Sequence, residues 1–126
     1  MNAYARRYAT AERETASSER LMVLLFQAAL RHIRAGIASL EADNLGDGGR
    51  SFKKASDIVL ELHHTLDHKR APDLCERLSA VYRFVCIRLG TATVSRDIAA
   101  AREAEKVFAP IAEAFEKAVA SLAAAR

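Results

Sequence analysis

Apolar residues recur along this chain at spacings of three and four, in four separate runs between Ser18 and Leu122. That period is the signature of helices with one buried face. The first run, Met22, Phe26, Ala29, Ile33, Ile37 and Leu40, predicts a helix from about Ser18 to Asp43. A second stripe of Leu21, Leu25 and Ala28 runs beside it. Phe52, Ala55, Val59, Leu62 and Leu66 predict a second helix from about Arg50 to His68, after a loop over residues 44–49 that holds three glycines. Arg70 to Asp73 reads as a short turn, with Pro72 placed for a first helical position. Leu74, Leu78, Val81, Tyr82, Val85 and Leu89 then mark a third helix to about Gly90. Ile98, Ala101, Ala104, Phe108, Ile111, Phe115, Val119 and Leu122 mark a fourth, capped by Thr93 or Ser95 and bent near Phe108 by Pro110. No segment alternates with the period of a strand. The pattern predicts an all-α protein, an antiparallel up-down four-helix bundle over residues 17–126. Residues 1–16, polar and alanine-rich, lack an apolar stripe and read as an extended N-terminal tail.

The first helix is unusual. Ser17 or Ser18 supplies a cap and Glu19 suits the positive end of the helix dipole. From Leu21 to Leu30 only Gln27 is polar. One buried stripe does not require that density. Either this helix is central to the bundle or it borders an apolar groove made for a partner. Gly36, inside the same helix, is best explained by close approach of a neighbouring helix.

At 126 residues the chain is long enough for one domain with one core, without disulfides. The net charge of +3 is mild and its basic residues are scattered, as in Arg6-Arg7, Lys53-Lys54 and Lys69-Arg70. A nucleic-acid binder gathers them into a patch, so no nucleic-acid partner is expected. Cys75 and Cys86 stand eleven residues apart on one predicted helix, hence about 16 Å, too far to bridge. Two free thiols suit a reducing compartment. No signal-peptide core is present, and no apolar run reads as long enough to insert in a membrane. The expected location is the cytoplasm.

Candidate chemistry is sparse. Glu61, His64 and His68 share a helix face at metal-ligand spacing. Bundle metal sites draw ligands from facing helices, and no second Glu-x-x-His occurs here. The simpler reading puts His63, His64 and His68 on the solvated end of the second helix. No phosphate loop or nucleophile-base set appears, so neither cofactor nor enzymatic activity is expected. Tyr4 and Tyr8 are different. They stand in a polar segment with no core of its own and read as contacts for a groove or a partner.

Several motifs run through the chain in a familiar order. They are Asn2-Ala3-Tyr4, Thr15-Ala16-Ser17-Ser18, Leu21 with Leu25-Phe26, Lys54-Ala55 with Ile58, Glu61-Leu62 and Leu66-Asp67, then Val81-Tyr82-Arg83-Phe84, and finally Ala92-Thr93 with Asp97. Together they resemble the flagellin-specific export chaperone family, FliS, over nearly the whole length. Ser18 stands where the family has proline, and Phe26 where it has tyrosine.

The resemblance implies a helical bundle that binds the C-terminal segment of newly made flagellin. Binding would prevent premature polymerisation, and the complex would be delivered to the flagellar export gate, with the tyrosine-bearing tail contributing. The implied protein uses no metal or nucleotide and is a monomer or weak dimer when free. On physical grounds a client helix needs a shallow apolar groove. The candidates for its lining are Leu21, Leu25, Ile58, Leu62, Tyr82, Val85 and Leu89. A bundle adaptor with a different client and a small metalloprotein built on the second helix are the alternative readings.

Overall fold

A computed structural model describes residues 3–126 as four α-helices: α1 (Ala3–Glu41), α2 (Leu45–His64), α3 (Pro72–Ser95) and α4 (Ile98–Ala125). Each helix packs on its neighbours in the chain, and α4 closes the ring against α1. The result is an antiparallel up-down bundle, with no strand among the described residues. Its centre is made by Phe26, Ile33 and Ile37 of α1, Phe52, Val59 and Leu62 of α2, Val85 and Leu89 of α3, and Phe108 of α4. Burying each of these large side chains contributes about 1.5–3 kcal/mol. Alanines 100, 101, 104 and 112 form most of the buried face of α4 and let that helix sit close.

The segment expected to be an extended tail is helical from Ala3. Its composition explains the difference. Alanine, arginine and glutamate are strong helix formers, and lengthening an existing helix avoids the nucleation cost. Packing keeps α1 together downstream, and propensity carries it upstream. At 39 residues it is about 58 Å long, nearly twice the length of α2.

The expected glycine loop over 44–49 is also helical for the most part. Asp43 takes the left-handed conformation, φ 57°, and ends α1 while Asn44 N–H donates to the Ser39 carbonyl at 2.7 Å. The Asn44 side chain then caps α2, accepting from Asp47 N–H at 3.3 Å and donating to the Asp47 carboxylate at 2.6 Å. Arg50 pairs with the same carboxylate. Asp47 is held below the usual carboxylate range, chiefly by its hydrogen bond from Arg50 and then by Asn44. Gly48 is there for space rather than flexibility: a Cβ would stand 3.1 Å from Leu40 Cδ2.

Other boundaries shift for similar local reasons. The helix α2 ends at His64, with the Thr65 hydroxyl donating to the Leu62 carbonyl at 2.7 Å. Pro72 opens α3 as the sequence predicts. The cap of α4 is Asp97, accepting from Ala100 N–H at 3.2 Å, not Thr93 or Ser95. The Thr93 hydroxyl is engaged with the Leu89 carbonyl of its own helix.

One stretch of α1, Arg13–Glu41, is long and apolar enough to cross a membrane by length and composition, contrary to the sequence expectation. The bundle accounts for it otherwise. Phe26, Ala29, Leu30, Ile33 and Ile37 are buried against the other helices. Arg31 and Arg34 would fall inside such a span, where each charge is costly.

Candidate functional site

The three longer helices run on past the end of α2, and there the core loses one wall. An apolar cleft of about 410 Å³ opens at that place. Met22 and Phe26 of α1, Leu74, Leu78 and Tyr82 of α3, and Ile111, Ala114, Phe115 and Ala118 of α4 line it. The turn after α2 adds Leu66, with Thr65 and Asp67 as the polar members. Asp67 also holds the turn, accepting from Arg70 N–H at 3.3 Å. The residue before a proline avoids the helical region, so Pro72 holds Ala71 outside it, at φ −144° and ψ 71°, and prevents α2 and α3 from merging.

Aromatic rings build the floor. Phe26 is buried between Phe115, at 4.9 Å between centroids, and Phe108, at 5.7 Å. Such tilted pairs add to the stabilisation of burial alone. Beneath them Tyr82 is only 2% exposed, and burial pushes its phenol up to about 12. His63 meets the Tyr82 ring edge-on at 6.2 Å and shares a 3.1 Å hydrogen bond with the Ser79 hydroxyl. His63 is therefore a half-buried structural residue, not part of a solvated end.

A second hollow, about 390 Å³, lies between α1 and α4. Val23, Val119, Ala120 and Ala123 line it, and Arg126 bridges it to Glu19 at 2.6 Å. Val119 is half-buried and Leu122 is 50% exposed, so the expected buried face of α4 fades after Phe115. Nothing from α2 reaches this far to cover it.

The sequence-derived groove residues divide between surface and core. Leu21 is 56% exposed, and Leu25 and Ile58 are half-buried against the core. Leu62, Val85 and Leu89 have no accessible surface in this arrangement and serve the core. Tyr82 alone of the seven lines the cleft. Met22, Leu66, Leu74, Leu78, Ile111 and Phe115 line it too, yet the periodicity assigns them to core faces. Core and cleft lie on the same stripes, and only the early stop of α2 separates them. Positions 4 and 8 fall within α1, and the side chains of Tyr4 and Tyr8 lie outside the described residues.

Glu61, His64 and His68 do not form a site. All three are exposed, and His68 lies in the turn past α2, where helical spacing no longer applies. Among the described residues no three His, Cys, Asp or Glu side chains gather closely enough to hold a metal. Cys75 is buried and Cys86 half-buried, both free. Burial pushes the Cys86 thiol up, away from the reactive thiolate.

Comparison with known proteins gives a consistent picture. The family described as "Flagellar protein FliS" matches residues 1–122. The flagellar secretion chaperone FliS of Escherichia coli (strain K12) is 28% identical over 108 residues, 85% of this chain and 79% of that one. Its Bacillus subtilis (strain 168) counterpart is 27% identical over 107 residues, with the same shares covered. A bacterial flagellar chaperone of known crystal structure superposes with a TM-score of 0.72 at 19% identity, covering 82% of this chain and 85% of that one. That last likeness is one of fold.

Proposed function

The chain belongs to the FliS family of flagellar secretion chaperones, and from that premise we propose that it binds the C-terminal segment of flagellin. Held in this way, the segment cannot polymerise before export. The observation that carries this reading is the cleft where α2 stops, apolar in almost all its lining and open at one end of the bundle. A disordered client that folds on binding needs such a surface for its apolar side chains. The site offers few charges and no catalytic set, so its work is binding rather than bond-making. Leu21, exposed on α1, extends the apolar surface beyond the cleft.

The complex is delivered to the flagellar export gate, and the N-terminal part of α1, with Tyr4 and Tyr8, contributes to that delivery. The chaperone acts in the cytoplasm, on one flagellin at a time. Titration calorimetry with a flagellin C-terminal peptide tests the reading. One-to-one binding with a negative heat-capacity change, little affected by salt, is the expected result. A heat-capacity change near zero with strongly salt-weakened binding would sink the cleft mechanism. Absence of binding to any flagellin of the source organism would leave an adaptor with another client.

A further inference from the structure

The cleft contains a polar group that nothing in the fold satisfies. Tyr82 lines it and is almost wholly buried. Its ring meets His63 edge-on, but its hydroxyl makes no hydrogen bond among the described residues. The polar groups around it are taken. His63 and Ser79 satisfy each other at 3.1 Å, and the Thr65 hydroxyl donates to the Leu62 carbonyl at 2.7 Å. The Asp67 carboxylate accepts from Arg70 N–H at 3.3 Å. The Tyr82 oxygen is not sealed in either, for it keeps some accessible surface.

Helix geometry gives the direction of that hydroxyl. A long side chain on a helix leans toward the N-terminus, and on α3 that is the cleft end, where Leu74 and Leu78 also line the wall. Burial pushes the phenol up, and Cys75, two helical turns earlier, is close enough to add to the effect. The hydroxyl therefore stands at the floor of the cleft as a neutral O–H donor. Water serves it while the cleft is open. A client that closes the cleft removes that water, and a polar group then buried without a partner weakens binding by about fivefold or more. A site built this way rejects ligands that lack the matching group.

On the flagellin reading of the cleft, on which this inference rests, we propose that Tyr82 sets its specificity: the hydroxyl donates a hydrogen bond to a carbonyl oxygen that the client presents among its apolar side chains. That carbonyl belongs either to an Asn or Gln side chain or to the last turn of the client helix, where main-chain carbonyls are left free. Tyr82→Phe keeps the ring and removes the hydroxyl. It should weaken a flagellin C-terminal peptide about tenfold in titration calorimetry, with an unchanged or higher melting midpoint because no bond within the fold is lost. Two further arms locate the acceptor. For a side-chain amide, replacing one Asn or Gln of the peptide by Ala should cost about tenfold against the wild type and nothing against Tyr82→Phe. For a main-chain carbonyl, no side chain couples, and an ester in place of the amide that follows it, a weaker acceptor, should reproduce the loss against the wild type alone. Equal peptide affinities of the wild type and Tyr82→Phe overturn the proposal and leave the flagellin reading standing. So does a melting midpoint lowered in Tyr82→Phe, which gives the hydroxyl a partner inside the fold. Coupling to a Lys or Arg of the peptide makes the hydroxyl an acceptor and overturns it too. Failure of the wild type itself to bind removes the flagellin reading, and this proposal with it.

Discussion

The ring of Phe52 lies across Gly36, with its Cε1 2.4 Å from where a Cβ on that residue would stand. The contact sets how closely α1 and α2 approach, and Phe52 is 1% exposed, so its ring has nowhere to retreat. Gly36→Ala adds a good helix former, worth about 1 kcal/mol, but overpacks the core at a cost of about 1–3 kcal/mol. The clash is severe enough that net destabilisation is expected in urea melts. Gly36→Ala combined with Phe52→Leu should recover part of the loss, because neighbouring sites couple. A single variant as stable as the wild type would show the ring to be mobile.

Surface and core roles separate by mutation along α3 and α2. Leu74 lines the cleft and is 58% exposed, whereas Leu62 is fully enclosed. Leu74→Glu should weaken the flagellin peptide by about tenfold while changing stability by less than about 0.5 kcal/mol. Leu62→Ala should cost about 2–5 kcal/mol of stability and leave the affinity of the folded protein nearly unchanged. Calorimetry and denaturant melts on both variants read the two effects. A reversed pattern would move the client site elsewhere.

Acid sensitivity has one identifiable source in α1. Burial, followed by the charges of Lys54 and Arg31, holds the His32 imidazole below its ordinary value. As pH falls through about 6.5 the unfolded chain binds this proton first, so stability declines. The contribution is intact above that pH and lost as pH drops through the lowered folded value. His32→Gln should therefore lose less stability than the wild type between about pH 7.5 and about pH 5.5. Urea midpoints at the two pH values give the comparison, and parallel losses would exclude His32 as the source.

Client binding and delivery should be separable at the far end of α1. Tyr4→Ala is expected to leave peptide binding in solution nearly intact and to reduce flagellin secretion. Loss of peptide binding itself would place that end of α1 within the client site.

The four helices and the buried line Phe52, Ala55, Val59 and Leu62 were legible in the sequence, because a 3.6-residue period survives any detail of packing. Gly36 was legible for the same reason: a glycine on a core-facing stripe needs a close neighbour, and Phe52 is that neighbour. The start of α2 was not. Three glycines outweigh any local helix signal, yet the Asn44 cap and the fit of Gly48 against Leu40 hold them helical. Nor could spacing separate Leu89, fully enclosed, from Leu78, at the cleft. That distinction depends on where α2 stops relative to its neighbours, a tertiary fact. Residues 3–16 reveal a third limit: propensity without a stripe is enough for helix when a stable helix already adjoins.

The early stop of α2 makes the bundle taper, with four helices around one end of its axis and three helices and a turn around the other. Cooperative stability cannot be even along such a body. Amides in the last turns of α4 and near Met22 should exchange with solvent through small local openings, well before those around Val59 and Phe108. A helix seated in the cleft would act there as the missing wall. Chaperone and client would then share one continuous interior, and the slowing of exchange at the tapered end would record how much of it the client supplies.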